Sequence, residues 1–429
     1  MFAKIVDKKF NIYTLGCKVN QYESDSMADE LKAKGAVLVE FGEAADICII
    51  NTCSVTNMAE RKSRQIIHRA KKLNPNAIIV AVGCYVQADK ESLEADSQID
   101  IVIGNNRKKD IARILEEYID AYETSDNYID INNTKEYEEM TLIKPVEHCR
   151  AYVKVQDGCN NFCSYCIIPY TRGRIRSRRL KDVVREIKGL AKREIKEVVI
   201  TGINLSSYND DGLGLLELLL QVSSIEGIER IRMGSLEPRI ITEEFLEGIS
   251  KEKKICPHFH LSLQSACNET LKRMNRKYTI EEYMEKCELI RRYYDRPAIT
   301  TDIIVGFPGE TEEEFAITRE NLEKLNLYEM HIFKYSIRNG TVAATMPNQV
   351  SDQHKDERSN ILLELAEKNK SKYENSFKGE QLQILVEEYD KVGEECFIKG
   401  HTDRYIMIIR PMEEEFCKKN VNQLIDIDY

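Results

Sequence analysis

A chain of 429 residues, 42% hydrophobic and 31% charged, exceeds one ordinary domain of ~150 residues and carries ample apolar material for packed cores. The N-terminus "MFAKIVDKKF" lacks the apolar stretch of a signal peptide, and runs such as "AIIVAVG" and "LGLLELLLQV" are too short for a membrane span, so a cytoplasmic protein is expected. A net charge of −10 excludes global attraction to nucleic acid, but the charge is segregated. Basic residues gather in "RKSRQIIHRAKK" (61–72) and "RGRIRSRR" (172–179), and acidic ones in "EEYIDAYETSDNYIDINNTKEYEEM" (116–140).

In chain order, "FNIYTLG", "DICIIN", "AIIVAVG" and "IDIVIGN" read as buried strands, alternating with helical periodicity over 21–34 and 56–73. That alternation predicts a parallel-sheet α/β domain over residues 1–120. Residues 121–147, polar and ending near Pro145, read as a linker. A second α/β series over 148–375 follows, with strands expected at "AYVKVQDG", "EVVITG", "RIRMGS", "HFHLSLQ", "AITTDIIVG" and "YEMHIFKY" and a helix at 280–294. Six βα units in series imply a full or partial barrel whose site lies at the C-terminal ends of the strands. A charged helix is expected from about 351 to 376. The alternating tail, 376–429, then predicts a small antiparallel β-barrel.

Thirteen cysteines, an odd number in a compartment that keeps thiols reduced, point to metal or catalysis rather than disulfides. "GCNNFCSYC" places Cys159, Cys163 and Cys166 in one turn after the first strand of the second series. Three thiolates at this spacing suit one face of a 4Fe-4S cube and leave one iron open. A closed structural zinc site, which needs four ligands, is the competitor. Cys17, Cys53 and Cys84 each end a predicted strand ("TLGC", "INTC", "VGC"), and the carboxyl edge of a parallel sheet would gather them. Cys48, Cys149, Cys256, Cys267, Cys287, Cys396 and Cys417 lack a ligand pattern and read as packing residues. His258 and His260 read as packing or hydrogen-bonding groups. Thr311 is a helix cap in prospect after the glycine turn "GFPGE".

C-x3-C-x2-C after the first strand of a six-unit series resembles the radical S-adenosylmethionine (SAM) enzymes. The stretches "TLGCKVNQYESD", "INTCSVTNMAERKSRQ", "AVGCYVQ", "CSYCIIPYTRGRIRSR", "GSLEP", "LSLQSACNETLKRMNRKY" and "TDIIVGFPGET" narrow the resemblance to the methylthiotransferases, across nearly the whole chain. "GCKVNQYES" and "RGRIRSR" look most like the branch acting on threonylcarbamoyladenosine beside the anticodon. The resemblance implies an N-terminal cluster domain, a partial (βα)6 radical SAM barrel and a C-terminal RNA-binding β-barrel of the TRAM type. It implies two 4Fe-4S clusters, one on Cys159, Cys163 and Cys166 and an auxiliary one on Cys17, Cys53 and Cys84. It further implies SAM as radical source and methyl donor, with contacts from Tyr165, Ser235, Glu237, Gln264, Ile304, Gly306 and Phe307. The partners it implies are the tRNA anticodon stem-loop, a reductant such as flavodoxin or ferredoxin, and a sulfur donor. Arg172, Arg174, Arg176 and Arg178 would meet RNA phosphate through their guanidinium forks. Reaction on isopentenyladenosine, or on an aspartate of a ribosomal protein, is the neighbouring alternative. An RNA-binding protein with non-catalytic clusters comes from a different class. Ala266, Lys334 and Asn339 depart from residues common in such relatives, away from the six proposed ligands.

Overall fold

The computed structural model describes residues 4–121, 127–143 and 149–429, so residues 122–126 and 144–148 of the expected linker, Pro145 among them, lie outside the described residues. The chain forms two compact units. The first comprises Met1–Val146, Tyr152–Arg179 and Ser336–Ala344; the second comprises Glu147–Ala151, Leu180–Tyr335 and Thr345–Tyr429. The turn with Cys159, Cys163 and Cys166 therefore groups with the N-terminal sheet.

In the first unit five parallel strands, β1 (Lys9–Thr14), β2 (Val37–Leu38), β3 (Ile47–Thr52), β4 (Ile78–Gly83) and β5 (Ile101–Ile103), are ordered β2-β1-β3-β4-β5. All six residues of β3 are buried, as expected for a central parallel strand covered on both faces. The helix Asn57–Leu73 starts where Thr56 accepts a hydrogen bond from the Ala59 amide. Its Ser63, Ile66, Ile67 and Ala70 form the buried stripe of an amphipathic helix. The other expected helix begins earlier, at Lys18, and its acidic residues Glu23 and Asp25 point inward rather than to solvent. Strand β6 (Arg150–Asp157) leads into the cysteine turn and pairs antiparallel with the short β7 (Arg176–Ser177).

In the second unit β8 (Glu197–Gly202) and β9 (Arg230–Met233) pair in parallel, as do β10 (His258–His260), β11 (Ala298–Val305) and β12 (Glu329–Lys334). Single parallel bridges, Ile231↔Ile255 and Leu236↔Leu261, join the two groups into one curved wall. Helices alternate with these strands, among them Leu215–Ser223, Glu243–Ser250, Ile280–Tyr293 and Glu312–Leu325. Thr311 caps the last of these by accepting from the Glu314 amide at 3.2 Å. After the helix Asp352–Asn375, strands β13 (Gln381–Val392), β14 (Glu395–Thr402), β15 (Met407–Met412) and β16 (Leu424–Asp428) form an antiparallel sheet of order β15-β14-β13-β16. It is a curled four-stranded half-barrel.

The second unit has a plug that periodicity alone did not disclose. Tyr405, in the β14–β15 loop, stacks on His258 at 5.2 Å and on His401 at 4.4 Å between ring centroids. The guanidiniums of Arg150 and Arg232 lie 5.6 and 5.0 Å from its ring, within cation–π range. Glu197, buried at the start of β8, pairs with both arginines, at 3.4 and 2.8 Å. The half-barrel is thereby anchored to the feet of the barrel strands.

Candidate functional site

Cys17, Cys53 and Cys84 stand where the sheet edge places them. Cys17 caps the helix after β1, Cys53 follows β3 directly, and Cys84 opens the helix after β4. These three strands are neighbours, so the three thiols converge. Asn20 ties the loops together, its Nδ2 donating to the Leu15 carbonyl at 2.7 Å and to the Thr52 carbonyl at 3.0 Å. The approach is close: a Cβ on Gly16, whose φ is +102°, would lie 3.0 Å from the Sγ of Cys53. Cys53 and Cys84 are buried, whereas Cys17 keeps accessible surface in a recess walled by protein.

Burial, with Cys84 and then Cys17 as negatively charged neighbours, pushes the Cys53 thiol up to about 12. Cys17 is raised as well, by burial and then by Cys84, against the Arg172 guanidinium. Thiolates that lie in one another's field repel unless a cation shares them, so the donor set suits a metal cluster.

The second cysteine set is built by a strained turn. Gly158 has φ +72°, and a Cβ there would fall 1.9 Å from the Arg174 carbonyl oxygen, so only glycine fits. Phe162 also adopts positive φ (+48°), its ring edge-on to Tyr170 and beneath the Arg174 guanidinium at 4.5 Å. The backbone closes through the Cys159 amide to the Gly173 carbonyl at 3.0 Å and the Cys166 amide to the Cys163 carbonyl at 2.9 Å. The Ala343 amide donates to the Ser164 carbonyl at 2.7 Å. Cys159, Cys166 and Tyr165 are half-buried and Cys163 is nearly covered, a loop that can offer three thiolates to one face of a cube.

Between the two sets lies a buried ionic network. The Glu23 carboxylate accepts from Lys154 at 2.7 Å, from Arg172 at 2.9 and 3.0 Å, and from Lys108. Asp157, the residue before the turn, takes Lys154 at 2.7 Å and Arg172 at 3.2 Å. Burial would raise both carboxyls, but the surrounding cations hold Glu23 well below the usual carboxylate range and keep Asp157 low too. Arg172 also donates to Asn20 Oδ1 at 2.6 Å and stands in the field of Cys84.

This geometry corrects the reading of "RGRIRSRR" as a phosphate-binding edge. Arg172, Arg176 and Arg178 are buried. Arg176 donates to the Arg172 carbonyl at 2.6 Å, and Arg178 to Glu139 at 3.0 Å and to the Tyr22 hydroxyl at 3.3 Å. Of the four, Arg174 alone is exposed.

The remaining candidates belong to the second unit. Ser235 is exposed after β9, and Glu237 is half-buried with its amide donating to Ser206 Oγ at 2.8 Å. Gln264 has φ +73°; its carbonyl accepts from the Ile304 amide at 2.8 Å, and Ile304 is half-buried. Gly306, with φ +71°, donates to Glu310 Oε2 at 2.6 Å, while Phe307 is fully buried edge-on to Tyr335 at 5.5 Å. Among the described residues no helix is long and apolar enough to cross a membrane.

The radical SAM superfamily matches residues 153–322, and an uncharacterized protein family, UPF0004, matches residues 9–104. Among solved structures, the radical S-adenosylmethionine methyltransferase TsrM of Kitasatospora setae superposes with TM-score 0.59 at 14% identity, covering 79% of this chain and 74% of that one. Fold and cysteine turn together thus define a radical SAM α/β protein. The threonylcarbamoyladenosine tRNA methylthiotransferase MtaB of Aquifex aeolicus is 42% identical over 91% of this chain and 96% of its own length. The tRNA-2-methylthio-N(6)-dimethylallyladenosine synthase of Thermoanaerobacter pseudethanolicus is 40% identical over 89% of this chain and 83% of its own. The chain belongs to the radical SAM methylthiotransferase family.

Proposed function

We propose that this protein is a tRNA methylthiotransferase that replaces the C2 hydrogen of threonylcarbamoyladenosine, next to the anticodon, with a methylthio group. The observation that carries the reading is the pair of separate three-cysteine sets within one compact unit, in a chain similar over nine-tenths of its length to the Aquifex aeolicus enzyme. Cys159, Cys163 and Cys166 would hold one 4Fe-4S cluster and Cys17, Cys53 and Cys84 the other. With SAM bound, these groups supply a radical able to remove hydrogen from an aromatic carbon, and the sulfur and methyl group that take its place.

The chain's own part is positioning. Gly158 and Phe162 shape the turn, Asn20 fixes the auxiliary loops, and Arg172 spans from the residue before the turn to the auxiliary thiols. Tyr165, Ser235, Glu237, Gln264, Ile304, Gly306 and Phe307 are the proposed SAM contacts, Phe307 through its backbone because its ring is buried. Arg174 remains the proposed phosphate contact of the arginine stretch. The modules follow the chain order 1–120, 148–375 and 376–429, the last contacting RNA by shape and backbone charge. A substrate of this kind places the protein in the cytoplasm, with flavodoxin or ferredoxin as reductant and a separate sulfur donor.

A second reading, the same reaction on dimethylallyladenosine, is favoured by the 40% identity to the Thermoanaerobacter enzyme. The experiment is mass spectrometry of nucleosides from tRNA incubated anaerobically with the reconstituted protein, SAM, sulfide and reductant. A methylthio increment on threonylcarbamoyladenosine is the expected outcome. An increment on dimethylallyladenosine alone replaces the substrate, and SAM cleavage with no increment on any nucleoside refutes tRNA as the target.

A further inference from the structure

Three strands of the second unit bring together side chains that no part of the proposed reaction uses. His260 ends β10, Asp302 lies mid-way along β11, and His331 lies on β12 directly opposite Asp302 in the parallel register. Side chains alternate along a strand, and Ile299, Ile303 and Val305 fill the buried face of β11. Asp302 therefore shares the other face with Thr300 and Ile304. One imidazole nitrogen of each histidine and one Asp302 oxygen all lie within 4.8 Å of one another.

We propose that His260, Asp302 and His331 form a mononuclear binding site for a divalent first-row transition metal, separate from all six proposed cluster ligands. The second shell supports it. His260 Nδ1 lies 3.0 Å from Thr300 Oγ1, a contact that fixes the ring and aims Nε2 at Asp302. A metal-ligating histidine uses its second nitrogen in this way.

The distance also fits a shared ion. His260 Nε2 and Asp302 Oδ2 are 3.3 Å apart, whereas a charge-assisted N–H···O bond closes to about 2.7–2.9 Å. With metal–ligand bonds of about 2.1 Å, adjacent ligands in a tetrahedral site lie about 3.4 Å apart. The His260 and His331 rings stand 5.9 Å apart at 29°, so that both can turn an edge to a common point. Two imidazoles and one carboxylate select zinc, iron(II) or cobalt(II) over magnesium and calcium, which prefer all-oxygen shells. Three protein ligands leave at least one position open, and His331 is exposed, so water or an oxygen ligand can enter.

The test uses the anaerobic full-length protein with its iron–sulfur content counted, dialysed against low micromolar zinc. Bound zinc is measured by mass spectrometry and its ligands by X-ray absorption. One zinc per chain with nitrogen and oxygen neighbours only is expected, with iron unchanged. The near-isosteric Asp302→Asn and the exposed His331→Ala should each weaken zinc binding at least tenfold at wild-type iron content. Zinc bound through sulfur, zinc retained by the Asp302→Asn/His331→Ala double variant, or no zinc at all would each overturn the site. None of these outcomes bears on the cysteine clusters, whose iron is counted in the same sample.

Discussion

Replacing Glu23 by glutamine keeps the side-chain shape and removes one negative charge from a buried site. Its carboxylate serves Lys108, Lys154 and Arg172, and all four side chains are at most 1% exposed. Without it Asp157 remains in contact with Lys154 and Arg172, and Lys108 is left with Asn105 Oδ1 at 2.8 Å. Breaking a buried pair by removing one partner costs about 3–5 kcal/mol. A second route bounds the cost from above. One lysine can escape by releasing its proton, which at pH 7.5 takes about 4 kcal/mol, three pH units at about 1.4 kcal/mol each.

A loss of about 3–4 kcal/mol corresponds to roughly 6–15 °C in Tm for a unit of this size. The assay is calorimetry of the anaerobic, iron-loaded protein. Because the Glu23 carboxyl is held low, its contribution is complete above the ordinary carboxylate range and disappears only as pH falls through the depressed value. The Tm deficit should therefore persist at both pH 6.5 and pH 8, and be no larger at the higher value, where releasing a lysine proton costs less. A deficit below about 2 °C, or one that vanishes between those pH values, would refute the claim that this carboxylate neutralises the buried cations.

The two cysteine sets should separate by function: Cys163→Ala should abolish reductive SAM cleavage with the auxiliary cluster still visible by Mössbauer spectroscopy. Cys53→Ala should leave SAM cleavage measurable and stop product formation, and full product from that variant would remove the auxiliary role. Gly158→Ala, whose Cβ meets the Arg174 carbonyl at 1.9 Å, should cost the protein one cluster's worth of iron. Wild-type iron content in that variant would show that the turn tolerates a side chain. Burial, reinforced by Asp110, pushes Glu30 up to about 7, so the folded chain holds a proton there that the unfolded chain releases above about pH 4.3. Stability from this group falls as pH rises from there through 7, and Glu30→Gln should raise Tm more at pH 8.5 than at pH 5.5. An equal gain at both values, read by calorimetry, would assign the effect to packing instead.

The cysteine geometry was legible because it needs only local facts: each of Cys17, Cys53 and Cys84 ends an apolar run, and parallel strands put such ends on one edge. The cap at Thr311 was legible for the same reason. The arginine stretch was not. Its charge is plain in the sequence, but the acid that pairs with the buried Arg172 is Glu23, 149 residues earlier on a helix that turns this side chain inward. Periodicity assigns a face to a helix, and only the fold says what covers it. The alternation in the tail carries the strands, yet closure into a barrel depends on strand number and shear, which alternation does not encode. His260 reads as a packing or hydrogen-bonding group and does lie 3.0 Å from Thr300 Oγ1, but its grouping with Asp302 and His331 is hidden because those residues come from different strands, 42 and 71 positions further along.

The buried network ties the two cysteine sets to one electrostatic environment. Lys108, Lys154, Arg172 and Arg176 outnumber Glu23, Asp157 and Glu138, the last of which burial pushes up. A protein does not keep an excess of buried cations without anions nearby to meet it. The thiols beside Arg172 are such anions once deprotonated, and a cluster held by three thiolates carries net negative charge that reduction increases. The same guanidinium that the sequence suggested for phosphate is thus placed to favour deprotonated Cys17 and Cys53, and it also pairs with Asp157 before the neighbouring turn. Arg172 touches Asn20 of the auxiliary loops and Asp157 before the turn, so the network reaches both sets. A change at Arg172 would act on both, whereas a change at a single cysteine acts on one.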